Sequence, residues 1–443
     1  MGPPVDPVTT DTTLPARVDV VVIGGGIIGT STALFLALKG ISVALCEKGH
    51  IAGEQSSRNW GWCRKMGRDP REVPLAIEAL RLWREINTLT EAETGFRQCG
   101  IVYLCNTEAD LEKRQAWLDQ VGRPHQLDSR MLTEEEAKQV LPGLTGKWKG
   151  GLFTPSDGRA EPQKAAPAIV AAARRAGATI LTNCAVRGVE RKAGQISGVV
   201  TEKGPIACDS VVLAGGVWSR LFCGNLGINL PQQKVTSSVM RTEPLEGGPE
   251  VSSAGYGFGL RKRLDGGYTV ASWSGNVFDI TPDAFRLFPD FLPSYVLEWR
   301  RLRLRIGRKF IEEWRTPKRW ELDKKSPFED VRVLDPKPHQ AILRQAREYA
   351  SAAFPALRNM KVAQSWGGAI DVTPDGVPVI SGVPGQPGFY IATGFTGHGF
   401  GIGPGAGKLM ADIVAGDAPV VDPTPFRFSR FSDGSRPRPS PLV

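Results

Sequence analysis

Between Val18 and Glu47 the chain reads strand, glycine turn, helix, strand and acid in unbroken succession, an order few folds accept. Val18 to Ile23 is a β-branched run of the kind a strand buried on both faces needs. Gly24-Gly-Gly26-Ile-Ile28-Gly29 follows at once. Thr30 to Lys39 then reads as a helix of small and apolar residues, and Ile41 to Cys46 as a second buried strand. Glu47 closes the unit, 18 residues after Gly29. Gly24 permits the tight turn, Gly26 lets the backbone approach a pyrophosphate, and Gly29 allows close packing of helix on strand. The helix N-terminus offers N–H groups and a positive dipole end to phosphates, and Glu47 can accept hydrogen bonds from ribose hydroxyls. A glycine-rich turn alone would carry little. In this register the unit predicts a Rossmann-type α/β domain that binds a dinucleotide.

Composition narrows the rest. A chain of 443 residues with 41% apolar and 23% charged residues holds two or three domains and is too apolar for disorder. Seven cysteines, at 46, 63, 99, 105, 184, 208 and 223, are odd in number and form no C-x-x-C pair. That argues against a disulfide scaffold and a zinc site, and suits a reducing compartment, with no metal expected. The apolar stretch Val18 to Leu45 is broken by Gly24, Gly25, Gly26, Gly29, Lys39 and Gly40, so it makes no clean membrane span. Residues 1–16 are Pro/Thr-rich, without the basic and apolar regions of a signal peptide, and read as a disordered tail. Residues 421–443 read as a second tail, and the expected location is cytoplasmic.

The net charge of +9 is concentrated. Nine Lys or Arg lie from Arg300 to Arg319 against Glu312 and Glu313, interleaved with Trp299, Phe310, Trp314 and Trp320. Two readings stay open: a solvated amphipathic helix, or a docking patch for a membrane surface or an acidic electron acceptor. No nucleic-acid-binding motif accompanies the charge.

Three further segments bear on which dinucleotide is bound. Gly53-Glu-Gln-Ser56-Ser57-Arg58-Asn59-Trp60-Gly61 is a polar loop beyond the acid, and Asp209 to Leu213 is a strand running into Ala214-Gly215-Gly216-Val-Trp218. Near the end, strand Gly388 to Thr393 leads through Gly394 into glycine-rich Phe395 to Gly407, with a helix expected from Lys408 to Val414. Such a loop aims backbone N–H groups at negative charge, as a reduced flavin presents.

With Gly151-Leu-Phe-Thr-Pro-Ser-Asp-Gly158, Gly177 to Val186 and Trp366-Gly-Gly-Ala-Ile-Asp-Val-Thr-Pro-Asp375, these segments resemble the FAD-dependent amine and amino-acid oxidoreductases of the D-amino-acid-oxidase superfamily. The resemblance covers Arg17 to about Val414. It implies that FAD is held by Gly24, Gly26, Ile28, Gly29, Glu47, Lys48, Ser56, Ser57, Asn59, Trp60, Gly61 and Val186. Ala214, Gly215, Trp218, Gly394, Gly397, His398, Gly399, Phe400 and Gly401 complete the implied set. It also implies a discontinuous fold, with an FAD domain from 17–95, 151–235 and 340–420. A mixed-sheet α+β substrate domain would take 96–150 and 236–339. Gly266-Gly267 between Phe258–Leu264 and Tyr268–Ser272 agrees locally with a hairpin there.

Oxidases of this superfamily commonly clamp the substrate carboxylate with an arginine four residues after the tryptophan matching Trp366, where this chain has Ile370. Another can lie in the last glycine loop, where this chain has Gly397-His398-Gly399. Arg64, just beyond the flavin-side loop, is the leading replacement, with Arg261 and Arg263 behind it. His398 is placed near the flavin. Trp60, Trp62, Trp273 and Trp366 wall the site or pack the core, and His339 sits on a turn. The site set expected to act on substrate is thus Arg64, His398, Trp62 and Trp366.

The expected reaction is oxidation of a C–N bond, primary amino acids and D-forms first. A hydride passes to flavin N5, and the imine hydrolyses to a keto acid and ammonia. Secondary amines such as N-methyl amino acids, imino acids and opines are the alternative, and a non-catalytic FAD-binding subunit is a second. The electron acceptor, O2 or a separate partner, is left open.

Overall fold

The computed structural model describes residues 2–273, 275–298, 302–435 and 437–440. Among them a six-stranded sheet runs in the order Val379–Val383, Gln386–Thr393, Ser210–Leu213, Val20–Ile23, Val43–Cys46, Thr179–Leu181. All neighbours are parallel except the outer pair Val379–Val383 and Gln386–Thr393. Strand Val20–Ile23 is buried along its whole length, as its β-branched composition requires. Helices Ile27–Leu38, Val73–Thr90, Pro162–Arg175 and Gly399–Ala415 cover one face through Ile27, Leu75, Trp83, Ile169 and Ile402. The other face is closed by the small sheet Val186–Lys192, Gln195–Thr201 and Gly204–Ala207, which packs Val189, Ile196 and Ile206 against Val21, Val211 and Phe389.

The segment expected to be a glycine loop is helix. Gly399–Ala415 begins nine residues before the expected Lys408 and carries Gly401, Gly403, Gly405 and Gly407 inside it. Helix propensity opposes this by about 1 kcal/mol per glycine. Tertiary packing overrides it, because a Cβ at Gly407 would enter Ser31, one at Gly403 would stand 3.0 Å from Ile27, and one at Gly405 3.1 Å from Ala79. The glycines let three helices touch backbone to backbone.

A ten-stranded sheet forms the second layer, with Gln233–Thr242 at its centre. Val362–Val372 pairs along that strand from Gln233↔Val372 to Thr242↔Val362. The hairpin is as its glycines suggest, Gly259↔Ala271 to Lys262↔Tyr268. Three segments lie where the resemblance does not place them. Gly150–Thr154 and Val362–Val372 belong to this sheet, and helix Gln340–Ala353 covers it with Leu343, Ala346 and Ala350 against Met240 and Leu260. The apolar spacing of that helix explains its side, and His339 is its N-cap, accepting from the Ile342 N–H at Nδ1.

Among the described residues, both expected tails make fixed contacts. In residues 2–16 Pro3 is buried, the Asp6 N–H donates to the Gln163 carbonyl, and Asp11 takes hydrogen bonds from Ile180 N and Arg174. At the other end Phe426 is buried and Arg430 pairs with buried Asp375. Polar anchors at fixed positions hold both strips, a signal that composition does not display. The basic segment is partly strand: Leu302–Arg305 pairs parallel with Asn276–Asp279, and helix Arg308–Arg315 follows. Trp299, Arg300 and Arg301 lie outside the described residues. No helix among the described residues is long and apolar enough to cross a membrane.

Candidate active site

One elongated cleft runs between the two large sheets, and the N-termini of Ile27–Leu38 and Gly399–Ala415 both open on it. At one end Glu47 is fixed by two backbone donors, Gly25 N–H on Oε2 and Gly49 N–H on Oε1, each at 2.7 Å. Burial pushes its carboxyl above the usual range, against the pull of Lys48. Ser56 Oγ accepts from the Ile27 N–H at 2.8 Å, and Asn59 closes its own loop by accepting from the Gly61 N–H at 2.7 Å. Lys48 lies over the Trp218 ring at 4.5 Å and pairs with Glu54, which also accepts from Trp218 Nε1. Asp371 binds the two sheets together beside the cleft, accepting from Gln55, Gln232, Thr393 and the Gly394 N–H.

The other end is aromatic and cationic. Trp60 meets Trp62 edge-on at 5.3 Å, Trp273 lies 5.9 and 6.1 Å from them, and Tyr103 stands 4.7 Å from Trp273. Into this wall reaches Arg68, 2% exposed, whose Nη1 has no protein partner. Burial pushes its guanidinium down to about 10. Trp62 Nε1 and the Tyr103 hydroxyl are also buried and without a protein partner. His398 Nδ1 lies 3.2 Å from Glu72 Oε2. Burial and the charge of Arg68 hold the imidazole down to about 4, so a neutral ring donates that hydrogen bond to an ionised Glu72.

Three buried polar atoms left open at one end of a glycine-floored cleft mark a place built for a polar ligand. Two helix N-termini along it suit a diphosphate and an electron-rich heterocycle, the two demands of FAD. Gly26 and Gly401 have little room for a side chain: a Cβ would stand 3.0 Å from Ser56 Oγ and 2.7 Å from the Trp62 carbonyl.

The family model of FAD dependent oxidoreductases matches residues 19–413. The chain belongs to that family. The structure of L-amino acid deaminase from Proteus myxofaciens in complex with anthranilate is 36% identical, with a TM-score of 0.93, covering 98% of this chain and 97% of that one. Glycine oxidase of Pseudomonas aeruginosa is 25% identical over 92% of this chain and 97% of its own length. The 4-methylaminobutanoate oxidase (formaldehyde-forming) of Paenarthrobacter nicotinovorans is 25% identical over 96% of this chain, which spans only 47% of it. The chain is therefore an FAD-dependent oxidoreductase of amino acids or amines.

In this FAD-dependent oxidoreductase most of the residues expected at the site line the cleft: Glu47, Lys48, Asn59, Val186 and Trp218, and at the far end Trp62, Arg64 and His398. Four do not. Trp366 packs on Val239 and Ala271 and donates its Nε1–H to the Arg58 carbonyl at 3.0 Å, so it is a core residue. Ser57 is buried and donates to the Glu54 carbonyl. Gly29 and Gly394 lie behind the lining, Gly29 against the Gly24 carbonyl and Gly394 against Thr373. Arg261 is taken by buried Glu161 at 2.8 Å, and Arg263 packs beside the same pair. Cys63 is buried and outside the lining.

Arg68 and Glu72 escape a sequence reading. They sit in Met66-Gly-Arg-Asp-Pro-Arg-Glu72, whose charge suggests an exposed turn. Asp157 is the missing signal: its carboxylate accepts from the Lys65 and Met66 N–H groups and pulls this segment inward.

His398 yields an expected pH effect. An unfolded imidazole titrates near 6.5 and the folded one at about 4, so the unfolded chain binds the extra proton between those values. Its stabilisation is complete above pH 6.5 and is lost as pH falls toward 4, by about 3 kcal/mol at most. The drop in melting temperature from pH 7 to pH 4.5 is expected to be smaller in His398→Asn than in the parent. Equal drops would refute the neutral imidazole.

Proposed function

We propose that this oxidoreductase oxidises the C–N bond of a primary L-α-amino acid and that Arg68 holds the α-carboxylate. The observation that carries the reading is the buried Arg68 guanidinium in the aromatic end of the cleft, its Nη1 unpartnered and Trp62 Nε1 likewise. A carboxylate supplies what both groups lack, in the planar geometry guanidinium favours. Arg64, the expected clamp, spends Nη1 on the carbonyls of Met66 and Gly67. The L-configuration and the primary amine follow the L-amino acid deaminases, 34–36% identical across the chain.

When bound, FAD accepts the hydride leaving the α-carbon. The protein's residues do the rest. Trp60, Trp62 and Trp273 exclude water and limit the orientations open to the substrate. The cations Arg64, Arg68, Lys113 and Arg114, which line that end, disfavour an ammonium group. The amine therefore binds neutral, its proton left in solvent, and the rate of flavin reduction is expected to rise with pH. The released imino acid hydrolyses to a keto acid and ammonia.

Anaerobic bleaching of the flavin by D-, L- and N-alkyl amino acids tests this. L-forms with a primary amine are expected to bleach it. Faster bleaching by a D- or N-methyl substrate overturns the assignment, and recovery of colour in air then reports whether O2 is the acceptor.

A second reading concerns that acceptor. Phe285, Ile306 and Trp314 are 67–77% exposed beside Arg308 and Arg315, apolar surface edged by positive charge. We propose that this face docks on an anionic membrane carrying the acceptor. Arg303→Gln, Arg308→Gln and Arg315→Gln together are expected to slow turnover with a quinone in anionic vesicles, while anaerobic flavin reduction stays at the parent rate. Unchanged turnover removes the idea.

A further inference from the structure

Among the unpartnered groups at the aromatic end of the cleft, Arg68 Nη1 and Trp62 Nε1–H can only donate, which suits a carboxylate. The Tyr103 hydroxyl can donate or accept. An amine beside that carboxylate needs an acceptor held in place, and the pair His398–Glu72 supplies one.

Glu72 is wholly buried at the N-cap of helix Val73–Thr90, yet its side chain caps no backbone N–H. Oε2 lies 3.2 Å from His398 Nδ1, and Oε1 has no protein partner. Burial raises this carboxyl, but the hydrogen-bonded His398 and the charges of Arg68 and Arg64 hold it below the usual range. Asp157, the other buried carboxylate of the segment, is engaged with the Lys65 and Met66 N–H groups. An ionised carboxylate only accepts, so the proton of the neutral imidazole sits on Nδ1. Nε2 is then an acceptor, and the ring makes no other hydrogen bond among the described residues.

The backbone fixes where this acceptor lies. His398 is itself the N-cap of helix Gly399–Ala415, with its N–H on the Phe395 carbonyl. Trp83 Nε1–H donates to the Gly401 carbonyl at 2.8 Å, and a Cβ at Gly405 would stand 3.1 Å from Ala79. The helices that carry the two side chains are thus tied together. Nδ1 is turned to Glu72 while the residue lines the cleft with Arg64 and Trp62. An acceptor there repels a carboxylate and receives an amine.

We infer that His398 Nε2 accepts an N–H of the substrate's α-amine, and that Glu72 is the positioning residue that keeps the ring proton on Nδ1. This rests on the reading of the site as one for α-amino acids. A neutral amine that donates here keeps its lone pair, which forms the C=N bond as the hydride leaves the α-carbon.

The test is binding of anthranilate and benzoate to the FAD-loaded enzyme, read as perturbation of the flavin spectrum. The probes share ring and carboxylate and differ by an amine that is neutral at pH 7. Anthranilate is expected to bind about 2- to 10-fold more tightly, the worth of one net hydrogen bond. In His398→Phe and in Glu72→Met the ratio is expected to fall to about 1. The carboxylate is common to both probes, so any change at Arg68 cancels from the ratio. Ring-nitrogen NMR at pH 7, with the His398 signals assigned by their loss in His398→Phe, is expected to show the Nδ1–H tautomer in the parent and its loss in Glu72→Met. His398→Leu serves in place of a His398→Phe protein that does not hold flavin. A parent ratio near unity, a ratio unchanged in either variant, or a proton on Nε2 in the parent overturns the inference. If L-amino acids bleach the flavin under any of those outcomes, the amino-acid reading survives without it. If the ratios behave as expected but no L-amino acid bleaches the flavin, the amine acceptor stands and the amino-acid reading falls.

Discussion

Arg68→Met is expected to weaken amino-acid binding by about 30-fold to several thousand-fold, because truncating one partner of a buried charge pair removes 2–5 kcal/mol. The measurement is the substrate dependence of anaerobic flavin bleaching, which separates affinity from the limiting rate. Arg68→Lys should recover only part of the loss, since an ammonium keeps the charge without the planar fork. Stability should move the other way. Substrate-free Arg68 is a buried guanidinium with an open Nη1, so methionine there is expected to leave the melting temperature unchanged or raise it. A purely structural arginine would show the reverse pattern, lower stability with unchanged affinity.

Gly29→Ala is expected to abolish FAD retention and most soluble protein. A Cβ at this position would overlap the Gly24 carbonyl oxygen, far inside van der Waals contact. Either the glycine turn opens or the helix Ile27–Leu38 withdraws from the sheet, and both remove the phosphate-facing N-terminus. Gly24 itself holds the turn at a φ of 112°, a conformation that L-residues avoid, so a second substitution there cannot relieve the clash. The control is Gly224→Ala, in the helix Ser219–Asn225, where a Cβ meets nothing within 4 Å. It is expected to be neutral or stabilising by roughly 0.5–1 kcal/mol. Flavin absorbance per protein after gel filtration compares them, and a yellow, folded Gly29→Ala protein would refute the packing argument.

The parts of the fold legible in the sequence are those in which a local pattern and a tertiary role coincide. Strand Val20–Ile23, the turn at Gly24 and the acid at Glu47 each carry their own chemistry within 30 residues. The glycine helix was hidden because its residues are poor helix formers chosen for close approach, a property of the partner surface. The flavin-side loop was legible down to Asn59 and Gly61. Ser57 and Trp366 sit one layer behind the cleft wall, and a motif does not show this, since an inward-facing and a cleft-facing side chain look alike in it. Arg68 was illegible for the opposite reason: a charged residue in a turn-like run signals solvent, and only Asp157, 89 residues later, draws it inside.

The glycine contacts between Ile27–Leu38 and Gly399–Ala415 have a consequence for the traffic of ligands. Two helices packed through glycines on one side leave little side-chain layer over which to slide, so the wall bearing both helix N-termini behaves as one rigid piece. Any widening of the cleft then falls to the rest of its lining, which includes Lys113 and Arg114 of helix Glu108–Trp117. That helix runs into the wider π-helical turn Leu118–Gly122, a geometry that helices keep at places of local adjustment.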